Sequence, residues 1–354
     1  MHNYLVYVKR AIYLQNYRTY MQILLLQTWI ANIGNGFIDK GARVAIERAF
    51  PDAEIIEASG HPNLVGGRKT KGFLPNVFSS RDESAYGELY RHSSQTPLQN
   101  IINVGELVDV DVAVLPGCIL YEHVLEKYYP VFEKLAEDDT PLVLLGAGGG
   151  DYDPETQRYV KQFINEVEPA GIITRDRDAY ESYSDDVPRA HDGIDCAFFI
   201  NEWYDPPTAT DEYDVATFDK QTTPKIASDR RTIHTDHYPF EQPYGNLWQK
   251  IKKMKSQWKL FNKENVFVSD SLRDYLFLYA NTRVTHSDRI HACVPTLAYG
   301  NRAQFWFDTP RGTLFEKVLD EDIQDKPVSV DQSLLKRAKQ EQVEALQSII
   351  SHSL

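Results

Sequence analysis

Apolar residues in this chain fall into short continuous blocks, each followed by a longer stretch of helical period. MQILLLQTW, beginning at Met21, reads as a first strand, and Lys40 to Ala49 as the helix behind it. Ala53 to Ala58, Asp111 to Leu115 and Leu142 to Leu145 read as further strands, with Val124 to Glu137 helical between the last two. Alternating strands and helices predict an α/β fold, a parallel sheet with helices on both faces. GIIT, Gly171 to Thr174, begins a second set, continued by CAFFI, NVFVSD, TRVTH (Thr282 to His286) and AQFWF (Ala303 to Phe307). Pro169 and Gly171 bracket a turn, which places the boundary at about residues 165–170. The pattern therefore predicts an extension at 1–20, Rossmann-like domains at 21–168 and 169–330, and a C-terminal segment at 331–354. Ser333 to Ile350 in that segment is periodic and reads as a helix that packs back across a domain.

Three stretches break the pattern. Asn201 to Pro224 is acidic, proline-containing and weakly periodic, and reads as a surface loop or insertion. His61 to Gln99 is irregular and holds the basic run Gly66 to Lys71, a loop that either closes over an anion or is merely solvated. The first twenty residues carry three basic residues, no acidic residue and five tyrosines. They lack the compact apolar core of a signal peptide. A membrane-surface helix and a peripheral extension are both open, and the peripheral extension is preferred.

Composition narrows the partners. At 354 residues, 42% hydrophobic and 25% charged, the chain is a folded protein long enough for two cores. A net charge of −13 argues against a basic nucleic-acid-binding face. It also means that an anionic substrate must be held by a local basic pocket. Cys118, Cys196 and Cys293 lie far apart in apolar surroundings, which fits neither a disulfide framework nor a zinc pattern. Buried thiols in a reducing cytoplasm are the plain reading. No apolar run is long enough to span a membrane.

The chemistry concentrates in SDRIHACVPTLAYG, Ser287 to Gly300. Arg289 and His291 stand two apart where a strand end feeds a helix start, the place where α/β proteins bind ligands. Arginine supplies a planar permanent cation for phosphate or carboxylate. Histidine moves protons near neutral pH. Arg175 and Arg177 follow GIIT in the same way. Asn32-Ile33-Gly34-Asn35-Gly36 follows the first strand, where glycines let backbone amides approach a ligand. Its spacing is not G-x-G-x-x-G. Gly146 to Asp151, with Gly148 and Gly149 at its centre, lacks the Lys-Ser/Thr of a P-loop and suits tight packing or close approach of an acceptor.

Taken in order, these segments resemble the polysaccharide pyruvyl transferase family. Arg289-Ile290-His291-Ala292 matches its Arg-Leu-His-Ala element. Asn32 to Gly36, DVAVLPG with PLVLLGAGGGD, and GIITRDRDAYESY with GIDCAFFI match its other elements over roughly residues 21 to 320. The resemblance implies two doubly wound halves facing a cleft, as in the GT-B glycosyltransferase architecture. It implies transfer of pyruvate from phosphoenolpyruvate to a saccharide, often as a cyclic ketal, in cell-surface glycan synthesis. His291 is then the candidate general acid, and Arg175 and Arg289 hold the donor, with the first domain on the acceptor side. Asp195 sits at a family aspartate and either positions a basic group or caps a turn. Asp176 is a candidate partner for a neighbouring arginine. His123 is a candidate acceptor-side base, with a surface helix histidine as the alternative. Where the family usually has Gly-Asp, this chain has Gly34-Asn35, which removes a carboxylate. Neither metal nor cofactor is required, and peripheral association with membrane-bound glycan intermediates is a further expectation. The rival readings are a GT-B glycosyltransferase using a nucleotide sugar and a non-catalytic glycan-binding relative.

Overall fold

The structure, a computed structural model, describes residues 20–28, 32–60, 107–125, 128–219, 221, 223–226, 228–237, 254–255 and 257–354. The N-terminal extension and the irregular stretch with the basic run Gly66 to Lys71 lie outside the described residues.

The first half opens with β1 (Gln22–Gln27), α1 (Ile33–Ala49), β2 (Glu54–Ser59) and β3 (Val112–Pro116). It continues with α2 (Glu122–Leu125), α3 (Tyr129–Glu137), β4 (Leu142–Ala147), α4 (Pro154–Val167), β5 (Gly171–Thr174), α5 (Arg177–Tyr183) and β6 (Ala190–Asp192). The six strands form one parallel sheet in the order β2-β1-β3-β4-β5-β6. After a 3₁₀ turn at Cys196–Phe199 and the short α6 (Ile200–Trp203), a second sheet begins. It is built from β7 (Tyr213–Thr217), β8 (Arg231–Thr235), α7 (Leu272–Asn281), β9 (Val284–Ser287), α8 (Ile290–Ala298) and β10 (Arg302–Phe305). Its order is β10-β9-β7-β8, again all parallel. The fold is mixed α/β with two parallel sheets, as the alternation predicts.

Five expectations need correction. GIIT does not begin the second sheet; as β5 it pairs with β4, because α4 returns the chain to the same sheet edge. The sheets therefore divide between Asp192 and Tyr213, not at 165–170. CAFFI is not a strand. Its apolar run is buried all round as a 3₁₀ turn capped by Asp195, and a short apolar block does not by itself distinguish strand from buried turn. NVFVSD forms only an isolated bridge, Val266 to His234. The acidic stretch from Asn201 to Pro224 is not a loop throughout, since β7 within it is fully buried. Acidic neighbours and Asp214 hide that strand, but Asp214 is neutralised by two hydrogen bonds from Arg283, at 3.1 and 2.8 Å. Val124 to Glu137 is helical but divided, with α2 and α3 as separate helices and Pro130 in the first turn of α3.

Alternation along the first sheet divides the core in two. Leu24, Leu26, Ala113, Leu115 and Leu144 pack with α3 and α4 on one face. Ile23, Leu25, Val114, Val143 and Leu145 join α1, α8 and α9 (Gln332–Ser353) on the other, in a cluster that also contains Val215 and Phe305 of the second sheet. The halves thus share an apolar core. At Gly41 an added Cβ would lie 1.9 Å from the Cys196 carbonyl oxygen, so α1 and the 3₁₀ turn touch backbone to backbone. The C-terminal segment packs back as expected. Asp331 caps α9, and the buried Gln342 accepts the Ile194 N–H at 2.7 Å. That clamps the loop carrying Asp195.

Candidate active site

Each candidate side chain lies just beyond the C-terminal end of a parallel strand, where the backbone leaves the sheet and side chains are free to converge. Arg175 follows β5, Asp195 follows β6, Asp219 follows β7, His237 follows β8, and Arg289 and His291 follow β9. Asp195, fully buried, links two of them, Arg175 and His291. Its Oδ1 accepts the Ala197 N–H at 2.9 Å, which starts the 3₁₀ turn. Its Oδ2 lies 3.2 Å from Arg175 Nη1 and 3.2 Å from His291 Nε2. Burial alone would raise this carboxyl, but the charge and hydrogen bond of His291, followed by the charge of Arg175, outweigh it and hold it at about 2. Asp195 is therefore ionised, and both roles expected of it, positioning a basic group and capping a turn, are present together.

The backbone explains how His291 reaches that carboxylate. Arg289 is the N-cap of α8, and its N–H donates to Ser287 Oγ at 2.8 Å. Pro295 lies four residues beyond His291, so it has no N–H for the His291 carbonyl and its ring crowds that oxygen. His291 accordingly leaves helical geometry, with φ −80° and ψ 15°. The N-terminus of α1 packs against it. A Cβ at Gly34 would stand 2.7 Å from His291 Cβ, 3.2 Å from Asn32 Oδ1 and 3.3 Å from His237 Nδ1. Asn32 caps α1, accepting the Gly34 N–H at 3.0 Å, and its amide reaches Asn35 Oδ1 at 3.3 Å. Asn35 in turn donates to the Thr28 carbonyl at 3.3 Å. The glycine-containing turn thus serves close approach of the two halves, with Gly34 fitted against the histidine.

Arg175 is almost fully buried. Besides Asp195 it donates to the Gly148 carbonyl at 3.0 Å. Arg175 thus ties the Asp195 carboxylate to the Gly148 backbone. Asp176, a candidate partner for a neighbouring arginine, has no ion pair with one among the described residues; it caps α5 through Ala179 and accepts from Tyr152 Oη at 2.6 Å and Gly149 N at 2.9 Å. Gly149 has φ +76°, and a Cβ there would lie 2.7 Å from Arg175 Nη2. Gly148 and Gly149 therefore pack tightly against these side chains, one of the two readings left open for them. Arg311 donates to the Gly149 carbonyl at 3.2 Å from the far side.

Arg289 is ion-paired with Asp219 through its Nε. His237, Asp219 and Tyr279 were not singled out in the sequence. His237 is buried, 2.6 Å from Tyr279 Oη, and Tyr279 Oη lies 3.3 Å from Thr217 Oγ1. Burial, reinforced by the charges of Arg289 and His291, pushes His237 well below its usual value, so it is neutral at pH 7. Its carbonyl accepts the Ile33 N–H at 3.0 Å, a second tie between the halves. The signal available was position alone: TDH and FD directly follow strands that the pattern did not reveal. His123 lies in α2, and its side chain is outside the described residues. Among the described residues no group of His, Cys, Asp and Glu is arranged to hold a metal ion.

The model of the family described as polysaccharide pyruvyl transferase matches residues 32–300. The chain belongs to that family. The match runs from the Asn32 cap to Gly300, so Arg175, Asp195, Asp219, His237, Arg289 and His291 all fall inside it. No curated protein matches the sequence. Solved structures of similar shape include the S. aureus MnaA–UDP complex (10% identity, 92% of this chain and 91% of that one, TM-score 0.48). Methanocaldococcus jannaschii UDP-GlcNAc 2-epimerase with UDP-GlcNAc and UDP is another (10% identity, 93% and 92%, TM-score 0.46). A putative UDP-N-acetylglucosamine 2-epimerase from Listeria monocytogenes is a third (10% identity, 95% and 91%, TM-score 0.49). Likeness at that identity says nothing of chemistry.

Proposed function

We propose that this family member transfers the pyruvyl group of phosphoenolpyruvate to a saccharide and closes it as a ketal. The observation that carries the reading is the carboxylate of Asp195 shared by His291 and Arg175. An ionised, buried carboxylate fixes the imidazole through Nε2 and so orients the ring, with Nδ1 left to act as the general acid. His291 then delivers its proton from Nδ1 to the methylene carbon of the donor. That step makes the adjacent carbon electrophilic. A sugar hydroxyl adds to it, a second hydroxyl displaces the phosphate, and the ring closes. Of the two hydroxyl protons released, one restores His291 and the other leaves with phosphate, so the reaction balances as donor plus diol giving ketal plus phosphate.

Arg289 is assigned to the donor anion. A guanidinium carries five N–H donors, enough to hold Asp219 and a substrate oxygen together. Arg175 acts through Asp195 and is a positioning residue in this scheme. In this reading the loops of the second sheet hold the donor and those of the first sheet, with α1, take the acceptor, with His123 kept as the candidate acceptor-side base. The buried thiols Cys118, Cys196 and Cys293 support a reducing, cytoplasmic setting. The test is to supply phosphoenolpyruvate with a panel of saccharides and follow phosphate release and ketal formation, with nucleotide sugars in parallel. Phosphate release that depends on a particular saccharide supports the reading; turnover of a nucleotide sugar in place of phosphoenolpyruvate overturns it.

A further inference from the structure

Between Glu241 and Glu264 the sequence contains six lysines and no acidic residue, in a chain whose net charge is −13. Within this stretch the chain is helical at 254–255 and 257–261. Met254, Trp258 and Phe261 are 61%, 68% and 58% exposed, three of the few large apolar side chains so placed among the described residues. At spacings of four and three they share one helical face. Lys255 and Lys259, also exposed, line a flank of that face. An exposed apolar stripe containing tryptophan and phenylalanine and edged by lysines is built to lie in the plane of a bilayer interface.

The stripe is firmly mounted. Lys263 donates to Thr223 Oγ1 at 2.6 Å. His234 of β8 donates to the Asn265 carbonyl at 2.9 Å and accepts from the Phe267 N–H at 2.8 Å. The helix is thus fixed to the outer strand of the second sheet, and that same strand leads into His237. We infer that Met254, Lys255, Trp258, Lys259 and Phe261 form a docking face for a membrane surface bearing anionic headgroups. Charge complementarity selects this occupant. The chain as a whole carries a net charge of −13 and is repelled by anionic lipid, whereas this patch combines local positive charge with side chains that partition into the interface. Docking there would hold the site beside a bilayer, where a lipid-linked saccharide is presented. The inference stands without the pyruvyl-transfer reading, because lipid binding needs neither donor nor acceptor.

The test is cosedimentation of the full chain with vesicles of phosphatidylcholine alone and of equal parts phosphatidylcholine and phosphatidylglycerol, at low and high salt. Binding should require phosphatidylglycerol and weaken as salt screens the lysines. Trp258→Ser combined with Phe261→Ser, and separately Lys255→Glu combined with Lys259→Glu, should each weaken binding by about tenfold or more. These side chains are exposed, so thermal unfolding of both double variants should match the wild type. Absence of binding to the mixed vesicles at low salt overturns the inference, as does equal binding by the variants. Sedimentation velocity without vesicles covers the remaining occupant: a wild-type dimer that Trp258→Ser with Phe261→Ser dissociates would assign the face to a second copy of this chain and refute lipid docking.

Discussion

Asp195→Asn changes one oxygen and removes the charge that joins the two halves of the site. The amide oxygen can still accept the Ala197 N–H, so the 3₁₀ turn keeps its cap. The amide nitrogen, however, replaces Oδ2 and faces two donors, Arg175 Nη1 and His291 Nε2, each at 3.2 Å. Arg175 is buried, and the Gly148 carbonyl is the other partner of its guanidinium described here. Removing one member of a buried ion pair costs about 3–5 kcal/mol. That is a large part of an ordinary domain's stability, so the variant should fold but unfold at much lower urea. Turnover should fall by about a hundred- to ten-thousand-fold, because His291 loses its orienting partner. The pH dependence identifies the cause. Asp195 is held at about 2 in the folded protein, below the unfolded value of about 4. Its depressed value therefore contributes stability in full above about pH 4 and loses it as pH falls toward 2. The difference between wild type and variant should be constant at neutral pH and narrow below about pH 4. Urea unfolding across pH, with phosphate release as the activity assay, measures both effects. A variant within about 0.5 kcal/mol of wild type and with unchanged turnover would refute the reasoning.

Gly34→Ala places a Cβ 2.7 Å from His291 Cβ. It should cost about 1–3 kcal/mol and reduce turnover by moving the imidazole, measured by urea midpoint and phosphate release. His237 is held well below its unfolded value of about 6.5. It therefore stabilises the fold fully above about pH 6.5, and this is lost as pH falls, with a slope approaching about 1.4 kcal/mol per pH unit. His234, lowered to about 4, acts in the same direction. A urea midpoint that is flat or rises between about pH 6.5 and 5 would contradict this. Arg289→Lys keeps the charge but loses the planar fork, so donor affinity by calorimetry should weaken roughly ten- to hundredfold, the equivalent of one charge-assisted hydrogen bond.

The sequence shows most of the first sheet because β1, β3 and β4 are buried on both faces and read as unbroken apolar blocks. It conceals β7, where Asp214 occupies a buried position made tolerable by Arg283, a residue far along the chain, and by the Ser228 hydroxyl. β8 is an edge strand of alternating character, RTIHT, with no apolar block to reveal it. Only the later strands of the second half are legible, and the turn at Pro169 and Gly171 reads as a boundary although β5 and β6 still belong to the first sheet. Site residues followed the same rule. Arg289 and His291 stand out because an arginine and a histidine meet at one helix start. Asp195 drew attention only through the family resemblance. His237 and Asp219 could not be placed, since the strands they terminate were not recognised. The brace role of Arg175 depends on burial under Gly149, which no local pattern encodes.

The most direct measurement compares wild type with His291→Ala, using phosphoenolpyruvate and the saccharide found to support phosphate release. Ketal formation is followed by NMR and donor binding by calorimetry on the same samples. With the arginines intact and the acid removed, ketal formation should fall by about a hundred- to ten-thousand-fold while donor affinity changes little. Ketal formation at the wild-type rate in His291→Ala would contradict the assignment of this histidine, held by Asp195 and Arg175, as the proton donor.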